Sequence, residues 1–423
     1  MLRHFLNLFL AYVNANKKLF LGGLLLGLLA ANLVYYLKPR LENMPSRKII
    51  GMAGNYTLAT LPLSIQKQLS YGMTAIGPDQ TATGAAASSW TSTDSGKTFY
   101  FTLDNRLKWQ DGKLLTSYDI NYNLADVNIE RPDSTHINFL LPDSFAPLPS
   151  VLSQPLFRTG LIGLGEYKLK NYKNIGRFLQ SILIGNNHQE ILYKFYPTKK
   201  AVLLALKLGE IQEVEGMIDP RGKPNYQEQA IVVLNLKVNG LADKSFRQGL
   251  AYALPTDFPL GERSNGPIAP TSWAYNPNLK KYYFDLEQAK KLLNADNASK
   301  SASLILATNE ELKSVAYDIA ANWEKAGVKT SIEVSEVIPK NFQAYLTFID
   351  LPPDPDQYQL WHSTLTAFGY KSPKVDKLLE EGRRTIDPEI RRGKYLDFQK
   401  AITEDLPALF LFFPKIYSLT RQG

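Results

Sequence analysis

The sequence predicts an α/β protein, a large body of alternating strands and helices that follows one apolar N-terminal helix. Three observations lead to this class. From residue 49 onward, runs with strand character alternate with segments that have helical spacing and capping residues. Residues 303–334 follow a β-α-β order, which is typical of parallel strands joined by a helix. Residues 19–37 form one long apolar run.

Size and charge limit the functional classes. The chain has 423 residues, of which 44% are hydrophobic and 21% charged, enough for two or three packed domains. The formal net charge is +8, but residues 1–49 alone contain seven Lys or Arg and one Glu. A nucleic-acid surface needs basic density on the folded body, and that body is almost neutral. We therefore expect no nucleic-acid partner.

Several chemistries are disfavoured by the residues present. The chain has no cysteine, which excludes disulfides, thiolate metal sites and a lipid-acceptor cysteine. Its four histidines are scattered without metal-ligand spacing, so we expect no metal and no cofactor. The signature motifs of serine hydrolases, zinc proteases, phosphate-binding loops and dinucleotide-binding folds are absent from the sequence. An enzyme is not expected.

The apolar run at 19–37 predicts a transmembrane helix. Nineteen helical residues span about 28 Å, close to the thickness of the hydrocarbon core. Lys17 and Lys18 stand before the run, and Tyr35, Tyr36 and Lys38 stand at its end. We expect a single-pass anchor in the cell membrane, preceded by a short segment, 1–18, with the large domain extracytoplasmic.

The alternative is a cleaved signal peptide with Ala30-Ala31 as its exit site. The apolar run continues six residues past Ala31, which favours the uncleaved anchor. Residues 2–13 place apolar side chains on one helical face, and either an interfacial helix or an extension of the targeting signal would explain this.

Local patterns place the elements of the body. Strands are predicted at 98–103, 231–236, 303–306, 329–334, 345–349 and 409–413, and helices at 199–208, 285–293, 311–326, 375–384 and 388–404. Gly209 is expected to end the first of these helices, and Asp243 to begin another. Thr116 and Asp119 have the spacing of a capping box, which predicts a helix carrying Ile120, Tyr122 and Leu124.

The order of several blocks resembles the extracellular solute-binding proteins of family 5, the peptide and oligopeptide receptors of ABC importers. These blocks are KTFYFTLDNRLKWQDGKLLTSYDINYN (97–123), GLGEYKL (163–169), ALKLGEI (205–211), VVLNLKVN (232–239), DKSFRQGLAYAL (243–254), DLEQAKKLL (285–293), IAANWEKAGVKTSIE (319–333), PPDPDQYQLWHS (352–363) and the C-terminal stretch from FGYKSP to LPALFLF (368–412). The body is shorter than is usual for peptide receptors. No arginine can be matched to one that would clamp a peptide carboxylate.

The resemblance implies a two-lobed periplasmic-binding-protein-like fold (type II, cluster C-like) with a hinge. Within the solute-binding domain, 50–423, it places lobe one at about 50–235 and 411–423, and lobe two at about 236–410. It implies that a peptide or similar small solute is captured between the lobes and delivered to ABC permease subunits. A sensor or scaffold of the same fold, or a binder of a sugar or nickel chelate, remains the alternative.

The resemblance also suggests an acidic residue of lobe two that holds the α-amino group of a peptide. Asp350 follows an apolar strand as in the family, whereas Asp354 matches an Asp-Pro pair, and Asp356 lies nearby. We rank Asp350 narrowly first, against the alternative that these residues form a turn. Loop aromatics are expected either to line the cleft or simply to pack: Trp273, Tyr275 and Trp361.

Overall fold

The computed structural model describes residues 12–13, 15–42, 45–238, 240–293, 303–339 and 342–421. The helices are α1 (Lys17–Glu42), α2 (Leu63–Leu69), α3 (Leu148–Val151), α4 (Lys199–Leu208), α5 (Lys244–Tyr252), α6 (Leu286–Leu293), α7 (Lys313–Lys325), α8 (Tyr358–Trp361), α9 (Pro373–Arg384) and α10 (Pro388–Asp405). The strands before residue 200 are β1 (Ser46–Ala53), β2 (Thr74–Ile76), β3 (Ala82–Gly84), β4 (Ala87–Thr93), β5 (Thr98–Leu103), β6 (Asn128–Glu130), β7 (His136–Leu140), β8 (Lys168–Ile175), β9 (Phe178–Gly185) and β10 (Gln189–Tyr196). Those after it are β11 (Glu213–Pro224), β12 (Glu228–Leu234), β13 (Gly261–Arg263), β14 (Ser303–Thr308), β15 (Lys329–Val334), β16 (Ala344–Asp350) and β17 (Ala408–Thr420).

One long sheet runs through the body in the order β15-β14-β16-β12-β17-β11-β1-β10-β9-β8, with β13 beside β17. Its parallel pairs are β14 with β15 and β16, and β1 with β10 and β11, whereas the end β10-β9-β8 is antiparallel. A separate small sheet has the order β4-β5-β7-β6, and β2 and β3 form a hairpin. The mixture of parallel strands and helices confirms the predicted α/β class.

The strand β17 joins two halves of the long sheet. Its apolar first half pairs with β12, and its second half pairs with β11. We define lobe one by β1, β8–β11, the second half of β17 and the small sheet, whose strands lie between β1 and β8 in the chain. Lobe two is defined by β12, β14–β16 and the first half of β17. The other connection between the halves is the turn 225–227, which links β11 to β12. Because β12 pairs with β16, the chain enters lobe two before residue 235. The lobe ranges expected from the sequence stay a prediction.

Lobe one is a sheet with a helix on each face. Because side chains alternate along β1, Ile49 packs with α4 while Ile50 packs with α2. The helix α4 has the predicted bounds: the Thr198 hydroxyl accepts a hydrogen bond from the Ala201 N–H, and Gly209 follows at φ 79°. A left-handed residue at this position ends the helix, and glycine adopts that conformation at the lowest cost.

Lobe two contains the predicted β-α-β unit, in which α7 connects the parallel strands β14 and β15. Trp323 of α7 is fully buried, and its indole N–H donates to the Leu250 carbonyl oxygen at 3.1 Å. The helices α9 and α10 pack around Val375, Leu379, Tyr395 and Phe398 on another side of the same sheet. These helices place the residues that face the small sheet.

The helix predicted after Asp119 is absent, and that prediction is wrong. The capping box of Thr116 and Asp119 is present, but it caps only the short 3-10 turn Ser117–Asp119. The Arg131 guanidinium donates to the carbonyl oxygens of Ser117, at 3.0 Å, and Ile120, at 2.8 Å. Tyr122 turns inward and donates to the Leu152 carbonyl oxygen at 2.7 Å. These tertiary contacts use the groups that a continuing helix would pair.

The N-terminal apolar run lies within α1. Several of its leucines are exposed, among them Leu19 and Leu26. None of the helices in the described ranges is long and apolar enough to cross a membrane, so the predicted transmembrane helix is not confirmed. Residues 1–11 and 14 of the predicted segment 1–18 lie outside the described residues.

Candidate functional site

The two lobes face each other through the carboxyl ends of their parallel strands. In lobe one, β10 ends at Tyr196, and Lys199 begins α4 three residues later. In lobe two, β14 ends at Thr308, and Glu311 follows at the same spacing. Lys199 and Glu311 form an ion pair between the lobes. Crevices at the carboxyl ends of parallel strands are the usual ligand sites of open α/β sheets.

Asp350 lies at the same junction. It is the last residue of β16 and stands opposite Glu228, the first residue of β12, in the antiparallel ladder. Burial first, and then the charges of Asp350 and Glu311, raise the pKa of Glu228 to about 7, while the Lys199 charge lowers it in part. We call Glu228, Glu311 and Asp350 the acidic edge. Three carboxylates with one lysine leave excess negative charge there.

The Asp350 carboxylate is exposed. In the described part of the chain, no hydrogen bond or ion pair to this carboxylate is found. After burial, the nearby Asp350 charge is the next cause that raises the pKa of Glu228, because like charges repel. A cation placed between them would relieve that repulsion.

A cavity of about 500 Å³ lies between the small sheet and the loops of lobe two. We call it the interlobe cavity. Its aromatic lining comes from Trp90, Phe99 and Trp273, and its polar lining includes Gln80, Ser92, Asp354, Glu389, Arg391 and Arg392. The volume falls within the range of small-molecule sites. A lining that mixes aromatic and charged side chains suits a ligand that has both apolar and charged parts.

The rim of the interlobe cavity holds the small sheet and lobe two together. The backbone N–H of Trp273 donates to the Asp79 carbonyl oxygen at 3.0 Å, and the Gln80 side-chain amide donates to the Thr271 hydroxyl at 3.0 Å. The Arg392 Nε–H donates to the Trp273 carbonyl oxygen at 3.1 Å. The loop that carries Trp273 is therefore fixed from both sides.

Asp354 is occupied by a buried partner. Its oxygens accept two hydrogen bonds from the Arg391 guanidinium, at 2.9 Å and 2.6 Å, and both side chains are less than a tenth exposed. Arg391 also donates to the Gly382 carbonyl oxygen and to the Tyr395 hydroxyl, and it lies 5.3 Å from the centre of the Trp273 ring. Asp354 thus positions Arg391 and Trp273 at the cavity wall.

Asp356 is also paired, with Arg383 at 2.8 Å. Burial raises the pKa of Asp356, although the Arg383 charge lowers it in part. The Arg383 guanidinium lies 4.0 Å from the centre of the Tyr358 ring and 5.3 Å from that of the Phe145 ring. The backbone carbonyl oxygen of Arg383 accepts a hydrogen bond from the Ala146 N–H at 2.8 Å. Asp356 therefore supports a contact between lobe two and the small sheet.

The three aromatic candidates lie in different places. Trp273 lines the interlobe cavity. Trp361 is 2% exposed, donates to the Gln357 side-chain oxygen at 2.8 Å and packs on Phe410 in the core of lobe two. Tyr275 is half-buried and lies near Tyr226, in the turn 225–227; the pKa of Tyr226 is raised by burial first, then by Glu262 and least by Tyr275. Of the predicted residues, only Trp273 and Asp354 share the cavity, while Asp350 stands at the acidic edge.

Sequence reasoning missed Glu228, Glu311 and Lys199 as members of the acidic edge, and also the arginines of α10. Glu228 gives no local signal, because only the pairing of β12 with β16 brings it to Asp350. The arginines could have been found: Asp387 and Pro388 mark the start of α10, and Arg391 and Arg392 occupy its first turns. Within the described ranges, no group of three or more His, Asp or Glu side chains is arranged to hold a metal ion.

Comparisons with known proteins agree with this geometry. A dipeptide-binding protein of Escherichia coli strain K12 is 22% identical over 448 residues, which cover 79% of this chain and 82% of that protein. The ABC transporter substrate-binding protein CtaP of Listeria monocytogenes superimposes with a TM-score of 0.75 at 18% identity, covering 89% of this chain and 94% of that one. NikZ of Campylobacter jejuni, solved in complex with Ni(L-His), gives a TM-score of 0.71 at 18% identity, covering 90% and 95%.

The structural likenesses establish the fold, which is the two-lobed α/β fold of the substrate-binding proteins. A family model, described as bacterial extracellular solute-binding proteins, family 5, middle region, matches residues 124–367. That range is more than half of the chain, and it includes β6 and β7 of the small sheet, strand β12 and the acidic edge. The chain belongs to the bacterial extracellular solute-binding proteins of family 5.

Proposed function

We propose that this protein captures short peptides between its lobes, on the outer side of the membrane, and delivers them to the permease of an ABC importer. The proposal is carried by the Asp350 carboxylate, which lies beside Glu228 at the junction of the lobes and has no partner among the described residues. A free α-amino group is a cation, and enclosing it between two lobes is costly unless a carboxylate pairs with it. The related Escherichia coli protein, named for dipeptide binding, supports the same substrate class.

In this proposal each part of the site has its own task. Asp350 accepts hydrogen bonds from the ligand amine, and the acidic edge disfavours anions at that end. The interlobe cavity receives side chains, because its aromatic walls offer apolar contact without a fixed shape. Asp354 and Asp356 hold the walls in place through Arg391 and Arg383. The ligand leaves chemically unchanged, since binding and release require no bond to break.

Attachment to the membrane is part of the proposal and rests on the sequence of residues 19–37. Exposed leucines along α1 support it, because large apolar side chains left in water are costly. Cell fractionation with an alkaline wash, together with N-terminal sequencing of the mature chain, tests this point. A soluble product that begins near residue 32 would refute the anchor and leave the binding site unaffected.

Calorimetry with di- and tripeptides tests the ligand site. Peptides with a free amine should bind, and their N-acetylated forms should bind at least about a hundredfold more weakly, because the buried ion pair is lost. Asp350→Asn should weaken the binding of peptides with a free amine to a similar degree. Asp318→Asn, which changes an exposed carboxylate on α7, is the matched control and should leave binding unaltered.

Three results would change the assignment. Equal binding of acetylated and free peptides would refute the amine contact for all three aspartates. An effect confined to Asp354→Asn or Asp356→Asn would move the contact to that residue. Binding of a sugar or a nickel–histidine chelate, with no peptide bound, would replace the substrate class.

A further inference from the structure

The face of lobe one that carries α4 is only partly covered. Ile49 of β1 and Tyr196 of β10 both pack against α4. Because side chains alternate along a strand, Arg47 and Lys194, two residues away from them, lie on this same face of the sheet. The helix covers β1 and β11 through Val202 and Leu206. In the described part of the chain, no helix packs over β8, β9 and the neighbouring part of β10 on this side.

The uncovered strands form a groove of about 520 Å³ beside α4. Its cations are Arg47, Lys173 and Lys194. Its one carboxylate belongs to Glu210, which accepts a hydrogen bond from the Tyr196 hydroxyl at 3.3 Å, and no carboxylate of the described residues pairs with Arg47 or Lys173. The groove is therefore positively charged, with apolar side chains between the cations.

The outer surface of α4 continues this character. Lys200, Leu204, Lys207 and Leu208 fall on one helical stripe, and the two leucines are 57% and 64% exposed. At the end of β8, Ile175 is 65% exposed. Exposed leucines flanked by lysines are typical of protein surfaces that lie on a lipid bilayer.

The covalent connection places this face near the end of α1. Strand β1 begins at Ser46, four residues after Glu42 ends the helix, so the two ends are at most about 14 Å apart. Arg47 is the second residue of that strand and lies in the groove. If α1 is held in the membrane, the groove cannot be far from the lipid headgroups.

We propose that this face, comprising the groove and the outer stripe of α4, docks on an anionic lipid surface. The inference rests on the membrane attachment proposed above. Five cations lie on the face (Arg47, Lys173, Lys194, Lys200 and Lys207) against two carboxylates (Glu190 and Glu210), and this excess matches phosphate headgroups. Leu204, Leu208 and Ile175 enter the interfacial layer. Docking would fix the orientation of lobe one and leave lobe two free to move against it.

The test uses the full chain in lipid discs. The protein has no cysteine, so a fluorescent probe can be attached at a single introduced one. Gln180→Cys places the probe in the groove, and Lys67→Cys places it on α2, on the opposite face of the sheet. A headgroup-attached quencher should quench the groove probe at least about twofold more in discs with phosphatidylglycerol than in discs of phosphatidylcholine alone. The probe on α2 should not respond to the lipid charge.

Variants of the face decide what causes the quenching. Leu204→Ser with Leu208→Ser should remove most of the difference between lipids, whereas Leu114→Ser, which alters an exposed leucine in the segment between β5 and β6, should not. Equal quenching in both lipids, or equal quenching of both probes, would refute the docking surface. If the chain washes out of the discs, the anchor fails instead, and binding of the free chain to anionic vesicles then tests the face by itself.

Discussion

Glu228 shows how a single residue reports the charge balance of the cleft. The pKa of its carboxyl is raised to about 7 from an ordinary 4.5, first by burial and then by the charges of Asp350 and Glu311. The folded protein therefore holds this proton more tightly than the unfolded chain does. Linkage then requires the free energy of unfolding to fall as pH rises from about 4.5 to about 7.

Glu228→Gln should remove that decrease. Because the side chain is partly solvated, we expect a gain of only about 1 kcal/mol for the variant at pH 8 and none at pH 4. Urea unfolding at the two pH values measures it. Parallel pH dependences of variant and unmodified protein would mean that Glu228 titrates normally.

Asp354 and Asp350 should separate into a structural and a binding residue. Asp354→Asn leaves the buried Arg391 guanidinium without its counter-ion and should lower the free energy of unfolding by about 3–5 kcal/mol. Asp350→Asn changes an exposed carboxylate that has no partner among the described residues, and it should alter stability by less than about 0.5 kcal/mol. Denaturant unfolding of both variants gives the comparison. A large loss of stability in the Asp350 variant would contradict the separation.

At the scale of elements, the start of α10 supports the wall of the interlobe cavity. The Asp387 carboxylate accepts a hydrogen bond from the Ile390 N–H at 2.9 Å, and Pro388 and Glu389 of the first turn line the cavity together with Arg391 and Arg392. Helix caps hold the first turn in place. Loosening this turn should affect stability and ligand binding together.

Asp387→Ala should cost about 1 kcal/mol of stability and also weaken peptide binding. Asp243→Ala is the matched control. The Asp243 carboxylate caps α5 by accepting a hydrogen bond from the Ser245 N–H at 3.0 Å, and Asp243 does not line the cavity. Thermal unfolding and calorimetry on both variants make the test. If both lose stability equally and neither loses affinity, the cavity wall does not depend on this cap.

The elements also show how far sequence reasoning reaches. The helix α4 could be predicted to the residue, because Thr198 and Gly209 signal its ends locally. The prediction of a helix at Ile120 was wrong because Arg131 and Tyr122 make tertiary contacts that cannot be predicted from the local sequence. The acidic edge could be predicted only as Asp350, since its partner Glu228 is fixed by strand pairing. The buried pairing of Asp354 with Arg391 was equally invisible without the packing of α10.

At the scale of the whole molecule, polar contacts couple the lobes at several places. Lys199 pairs with Glu311, Arg383 lies between Phe145 and Tyr358, and the Trp273 loop bonds to Asp79. The chain connections between the lobes are the turn 225–227 and the middle of β17. Few connections with polar contacts are typical of lobes that move as rigid bodies about a hinge.

The central claim is that the lobes close on a solute and release it unchanged. Fluorescence energy transfer in the full chain tests it most directly, with dyes at Lys67→Cys in lobe one and Tyr317→Cys, 56% exposed in the unmodified protein, in lobe two. Adding a peptide with a free amine should raise the transfer efficiency in the same concentration range as the calorimetric titration, and mass spectrometry should recover the peptide intact. Unchanged transfer at full occupancy, or a peptide recovered cleaved, would contradict the account.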